Sequence, residues 1–418
     1  MSVPINTTYH KYLTELFICV VYFFLNTVFL PEGLSYTTLL SPLFLMYLIR
    51  RGQVKSLILF ILFSFILFFI HYSNGIHLRY YAVSWLLSFA CLIFILTTYH
   101  FVNTTGYLEK IFSRLLYINA VLVVIALIAF FIPPLFDTFW FVNAFTNGVS
   151  NFGRLKMFTY EASIYSVTFT PLFLFYFLKA FQSSTKHKFF LLFLSVIPLL
   201  LSFSFGVLIT LFLAFIIVAL IESDKLPRHR KLFKYVLIIS VIILFLLFIF
   251  ALLMPEHPII IRIKNIFNNQ DSSFRGRTTD SFILAYEIAK MKSLFFGVGP
   301  GQIKVLGVEL YYKFYNQTIN TEHAIRIPNT VAETLALYGL LGIIVRIGIL
   351  IYFYFKTKVF NNYYRQTLFI FMFIYQFTGS YFVNLNEFVI WILAFSTTQF
   401  TCFDKRELLQ TNLTPINS

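Results

Sequence analysis

Charge is what this chain of 418 residues has least of: Asp, Glu, Lys and Arg together make up 12% of it. A water-soluble domain carries about 25%. With 59% hydrophobic residues and a mean hydropathy of +0.81, a soluble class is excluded. Cysteine is as sparse. Cys19, Cys91 and Cys402 each fall within or at the edge of an apolar run, so neither a disulfide nor a CxxC-type metal site is expected. The net charge is +15, yet no contiguous basic arm exists to hold nucleic acid. There is no internal repeat, no low-complexity tract, and no small-residue cleavage site ahead of the run 16–30. That run therefore reads as an uncleaved first helix.

What is present is a succession of apolar runs long enough to cross roughly 30 Å of hydrocarbon. The expected spans are 14–30, 35–49, 56–72, 79–98, 112–133, 160–181, 188–204, 206–222, 232–254, 329–355, 366–382 and 386–403. Ser202–Gly206 marks a turn between the two short runs at 188–222. This predicts an all-α fold, a polytopic transmembrane helical bundle of about 12 spans. Residues 1–418 would form a single integral membrane domain with a large loop at 255–328 and a second at 134–159.

Basic residues fix the expected orientation. They collect in alternate connections: Arg50, Arg51 and Lys55; Lys110 and Arg114; Lys179, Lys186 and Lys188; Lys225, Arg228, Arg230, Lys231 and Lys234; Lys356, Lys358 and Arg365. The short connections 31–34, 73–78, 202–205 and 383–385 contain none. Positive charge stays on the cytoplasmic side of short loops. Both termini are therefore expected in the cytoplasm, with loops 134–159 and 255–328 on the opposite face.

Those two loops hold the residues that point to chemistry. Loop 255–328 contains Arg262, Lys264, Arg275, Arg277, Lys290, Lys292, Lys304, Lys313 and Arg326 against six acids. A solvated loop or headgroup contacts would account for any one of them. The arginines as a set, with Arg154 across the other loop, point to an anion, because a guanidinium donates paired hydrogen bonds to phosphate. Glu161 opens a strongly apolar span, where a carboxylate is either a helix-dipole partner or functional. Glu333 lies one turn into the next span after Pro328-Asn329, and His323 precedes it as a candidate general base. Arg346 sits deep in the same span and needs either a carboxylate partner or a charged pathway. The stretch Gly297-Val-Gly-Pro-Gly301 lacks the Gly-Lys-Ser/Thr ending of a nucleotide loop. It reads as a turn that lets backbone approach closely.

In this order the segments resemble the O-antigen polymerase and O-antigen ligase superfamily of bacterial inner-membrane glycosyltransferases. They are Gly153-Arg154…Glu161-Ala-Ser163, the break at 200–206, Arg277 with the amphipathic segment 278–293 and Leu294-Phe-Phe-Gly-Val-Gly-Pro-Gly301, and Pro328-Asn329…Glu333…Tyr338-Gly339-Leu-Leu-Gly342. The resemblance spans about 150–345. It implies a metal- and cofactor-independent polymerase at the periplasmic face that joins oligosaccharide repeats carried on undecaprenyl pyrophosphate. The lipid bilayer and a chain-length regulator protein would be partners. Arg154, Arg275, Arg277, Arg326 and Asn329 would bind pyrophosphate or glycan. Glu161, Glu333 or His323 would deprotonate the acceptor hydroxyl. Ligases of this family carry a His-Asn pair where this chain has Pro328-Asn329, which weighs against transfer to lipid A–core. A lipid-linked oligosaccharide flippase is the third reading, although the two related halves common in transporters are not visible.

Overall fold

The computed structural model describes residues 7–31, 33–143, 152–182, 187–222, 249, 252–316 and 325–405. Helix α1 (Thr7–Val20) runs into a π-helical turn, Val21–Leu25, and is followed by α2 (Tyr36–Leu39) and α3 (Ser41–Arg50). Next come α4 (Lys55–Ser73), α5 (Leu78–Thr104), α6 (Leu108–Ala129) and α7 (Pro133–Phe139). A short hairpin, β1 (Trp140–Asn143) and β2 (Phe152–Leu155), leads to α8 (Ala162–Gln182), α9 (Lys188–Ser202) and α10 (Phe205–Glu222). Four short helices follow: α11 (Pro258–Phe267), α12 (Ser272–Arg277), α13 (Thr279–Lys290) and α14 (Ile303–Tyr315). The chain closes with α15 (Thr330–Lys356), α16 (Tyr363–Tyr375) and α17 (Leu385–Phe395).

Helix occupies at least part of each expected span except 232–254, most of which lies outside the described residues; in 14–30, 366–382 and 386–403 the helix ends at Leu25, Tyr375 and Phe395. Among the described residues six helices, α4, α5, α6, α8, α10 and α15, are long and apolar enough to cross a membrane. The chain is a multi-pass membrane protein. Helix α4 leaves all but 11% of its apolar window uncovered, whereas α8 buries 78%, so lipid faces the first and protein surrounds the second. Around α8, Tyr165, Phe169 and Phe175 pack in one core with Tyr364, Phe371 and Trp391 of α16 and α17. Lipid tails are as apolar as these side chains, so close packing and buried hydrogen bonds hold such helices together.

Three features depart from the expected pattern. The all-α expectation misses the antiparallel β1–β2 ladder, in which Phe141 faces Arg154 and Trp140 faces Leu155. Trp140 secures it, donating its indole N–H to Ala126 O at 2.8 Å and standing edge-on to Phe130 at 5.0 Å. The expected span 366–382 stops being helical at Tyr375; turns follow, Ser380 takes a positive φ, and the chain reverses before α17. The large loop carries four helices where one amphipathic segment, 278–293, is expected; α13 and α14 pack Leu284, Ile288, Ile303 and Tyr311 against Ala332, Leu335 and Ala336 of α15 in a separate core.

Helix α15 is also broken. Gly339 has φ 65° and ψ −160°, a region open in practice only to glycine. In an unbroken helix the N–H groups of Leu340 and Leu341 would reach the carbonyls of Ala336 and Leu337. Here they bond instead to Leu294 O and Phe295 O, at 3.0 and 3.1 Å. The two carbonyls they abandon accept from Val298 and Gly299, both at 2.9 Å. The glycine-rich segment is thus inserted into the helix and satisfies all four groups. A Cβ at Gly297 would strike the Leu337 backbone, and one at Gly339 would strike Phe295. Irregular backbone at membrane depth is tolerated only where protein or a cavity surrounds it. The half-helix 330–338, carrying Glu333, is the piece this break sets apart.

Candidate active site

A cavity of about 560 Å³ opens where α8, the α12–α15 region, α5 and the 376–386 segment converge. Glu161, Arg277, Arg326 and Glu333 all line it. Its remaining wall mixes aromatic residues (Tyr160, Tyr338, Tyr375, Tyr381) with neutral polar ones (Asn26, Ser84, Ser88, Asn384, Asn386). Several hundred Å³ with a few convergent charged groups is the usual form of a small-molecule site.

Glu161 immediately precedes α8. Its backbone carbonyl accepts from Ile164 and Tyr165, which leaves the carboxylate for other partners. Ser163 Oγ donates to Glu161 Oε2 at 2.9 Å, and Arg277 Nη2 lies 3.9 Å from the same oxygen. The end of the second loop's connection to α8 and the large loop, far apart in sequence, therefore meet in one ion pair. Both side chains are partly exposed, and a pair of this kind contributes roughly 0.2–1 kcal/mol.

Arg277 ends α12 and is positioned by its backbone. Asn329 is fully buried. Its amide donates to Arg277 O at 2.8 Å and Phe377 O at 2.6 Å, while its carbonyl caps α15 by accepting from Ala332 N. Asn329 thus ties the arginine's backbone, the half-helix and the 376–384 segment into one unit. Glu333, one turn on, accepts from Phe382 N at 2.6 Å. Arg326 extends over the Tyr381 ring at 5.9 Å.

Arg154 lies behind this wall, held by β2 over the Phe141 ring at 5.3 Å. Burial pushes its guanidinium down to about 10; repulsion from Arg262 and Arg277 adds to this and Glu161 offsets part of it. Arg262, in α11, is lowered by burial against an opposing pull from Asp271. It pairs with that residue at 3.1 Å and lies over Phe205, at the start of α10, at 5.4 Å. Three guanidinium groups, Arg154, Arg262 and Arg277, face two carboxylates, Asp271 and Glu161, and keep an excess of positive charge that an anion relieves.

The remaining candidates are placed differently. Arg275 turns to Asp280, 3.4 Å away, and does not line the cavity. His323 lies outside the described residues. Lys304 and Tyr381 line the cavity and Arg262 joins the arginine cluster; in the sequence Arg262 and Lys304 count only among the loop's basic residues, with no individual role, and Tyr381 is not singled out. For Arg262 the available signal was its place on an apolar stripe, Ile260, Ile263 and Ile266. Among the described residues no group of three or more His, Cys, Asp or Glu side chains is arranged to hold a metal ion.

Residues 190–347 match the family model described as O-antigen ligase. The matched stretch runs from α9 through most of α15 and contains Arg262, Arg277, Arg326 and Glu333. The resemblance to the O-antigen polymerase and ligase superfamily is carried by that stretch. It supports a glycosyltransferase-like function of the O-antigen polymerase or ligase type in surface-polysaccharide synthesis. None of the curated proteins compared matches the chain.

Proposed function

We propose, with the O-antigen ligase match over residues 190–347 as the premise, that the chain is an O-antigen or related surface-polysaccharide polymerase. It transfers a glycan from undecaprenyl pyrophosphate onto the end of another lipid-linked repeat, at the periplasmic face of the bacterial inner membrane. One observation carries this reading. Glu161, just ahead of α8, and Arg277, from the large loop, pair at 3.9 Å on the wall of a cavity that also holds Arg326 and Glu333.

The reaction follows from that arrangement. An acceptor hydroxyl oxygen bonds to the anomeric carbon as the carbon–oxygen bond to pyrophosphate breaks. Negative charge grows on the leaving pyrophosphate, and Arg277, Arg154 and Arg326, fixed in advance, stabilise it more in the transition state than in the ground state. The hydroxyl proton passes to Glu333, a carboxylate oriented by the Phe382 N–H. Asn329 acts through the backbone of Arg277, and Glu161 holds the guanidinium until the donor arrives. The neutral amides and hydroxyls of the far wall suit sugar hydroxyls. About a dozen spans, cytoplasmic termini and periplasmic loops at 134–159 and 255–328 belong to the same reading. The convergence of Tyr160 and Glu161, which directly follow loop 134–159, with Arg277 and Arg326 of loop 255–328 at one cavity supports it.

The family model's description favours ligation as the second reading; Pro328 ahead of Asn329, in place of histidine, favours polymerisation. Deleting the gene and resolving surface glycan on a gel tests both. A polymerase defect removes long chains and retains lipid-linked single repeats transferred to the surface. A ligase defect removes all attached glycan, and a flippase defect removes even single repeats. Arg277→Ala should reproduce the polymerase pattern at normal protein abundance; persistence of long chains overturns the assignment.

A further inference from the structure

Resting on the polymerase reading above, we infer that the intramembrane pair Arg346–Glu387 is a positioning device for Glu333, clamping the broken helix so that its carboxylate meets the acceptor. Arg346 stands in the second half of α15, beyond the Gly339 break, and Glu333 in the first half. Glu387 belongs to α17 and is completely buried. Arg346 Nη2 bonds to Glu387 Oε1, and Arg346 Nε donates to Gln376 Oε1 at 3.0 Å.

The other carboxylate oxygen reaches the opposite side of the break. Glu387 Oε2 accepts from Thr330 Oγ1 at 3.0 Å and from Ser380 Oγ at 2.7 Å. Thr330 begins the half-helix three residues before Glu333. Ser380 precedes by two residues Phe382, whose N–H holds the Glu333 carboxylate at 2.6 Å. One buried carboxylate therefore fixes both the segment bearing the base and the segment bearing the base's hydrogen-bond donor, and Arg346 anchors it to the far half-helix. A charge at this depth is costly unless it is paired, and replacing a buried pair by neutral groups of similar size is often neutral for stability. A buried carboxylate needs its lone pairs satisfied whatever its role, but that need does not select these partners, which lie on the two segments bearing Glu333 and its donor. Alignment of a reacting group does, because a displacement of about 1 Å costs on the order of 10²-fold in rate.

The test uses the full chain in proteoliposomes, with lipid-linked oligosaccharide extracted from a strain deleted for this gene as both donor and acceptor. The double variant Arg346→Met/Glu387→Gln removes both charges. Wild-type abundance and thermal stability are expected, with kcat lowered on the order of 10- to 100-fold and KM within about twofold of wild type. Arg346→Lys, which keeps the charge, should restore much of the rate. Wild-type kcat in a stably folded double variant overturns the inference, as does a raised KM with kcat unchanged. Should the double variant fail to accumulate, Ser380→Ala removes one clamp contact without altering charge; a several-fold loss in kcat supports the role and an unchanged kcat overturns it. If the wild-type chain extends nothing, the polymerase reading fails and takes this inference with it. An active wild type beside an unaffected variant isolates the failure to the clamp.

Discussion

Asn329 is the residue on which the site's geometry most depends, although it does not itself carry charge. Its side chain satisfies two carbonyls from distant segments and caps a helix. Asn329→Ala strands those carbonyls in a buried place, at about 1–3 kcal/mol, and releases the backbone of Arg277. Thermal unfolding in detergent should record the loss, and polymer length should fall even where folded protein accumulates. At this scale the sequence was legible wherever chemistry and isolation coincide: Glu161, Arg277, Arg326 and Glu333 stood out as charges beside apolar spans, and all four line one cavity. Glu387 went unremarked because, unlike Glu161, it follows a short connection with no basic residue to suggest a partner. That it answers Arg346 depends on how α15 and α17 pack, which no local pattern encodes.

Among elements, the long apolar helices follow from length and composition, and α4, α5, α6, α8 and α10 lie close to where the apolar runs place them. The break in α15 does not, since Leu337-Tyr-Gly-Leu-Leu341 is as apolar as the rest of its span and a glycine within a helix is no rarity. It becomes visible only when the 294–299 segment supplies the missing partners. Gly339→Ala should force a Cβ onto the Phe295 backbone and impose a backbone strain of about 1–3 kcal/mol. The expected result is a helix that expels the inserted segment, with lower thermal stability and loss of long-chain glycan on a gel. Unchanged stability would show that the break is not held by glycine. The β1–β2 ladder escaped the sequence for a different reason: Trp140-Phe-Val-Asn143 and Phe152-Gly-Arg-Leu155 are too short to show alternation.

For the whole molecule, the two ends differ in chemistry. Arg154, Glu161 and Arg277 gather at the end where α8 begins. Near its other end Lys179 pairs with Glu109 at 3.3 Å, and Lys405 pairs with Glu222 at the end of α10. If the site faces the periplasm, Lys313→Cys in α14 should react with a membrane-impermeant thiol reagent on intact cells lacking the exposed Cys402. Arg51→Cys should react only after permeabilisation. The reverse pattern would invert the topology.

The β1–β2 hairpin has a bearing on this orientation through what lies beneath it. Phe131 is 83% exposed and stacks edge-on against Phe130, which in turn packs on Trp140. An apolar ring left this open is stable against hydrocarbon and not against water, and the hairpin it adjoins holds Arg154. The arginine's height is therefore referenced to the lipid surface, while Arg277 is referenced to α12 and α15. Bilayers that are too thin or too thick by several Å should pull the two guanidinium groups out of register. Transfer in proteoliposomes of graded acyl-chain length should pass through a maximum, a dependence that a site carried on one rigid element would lack.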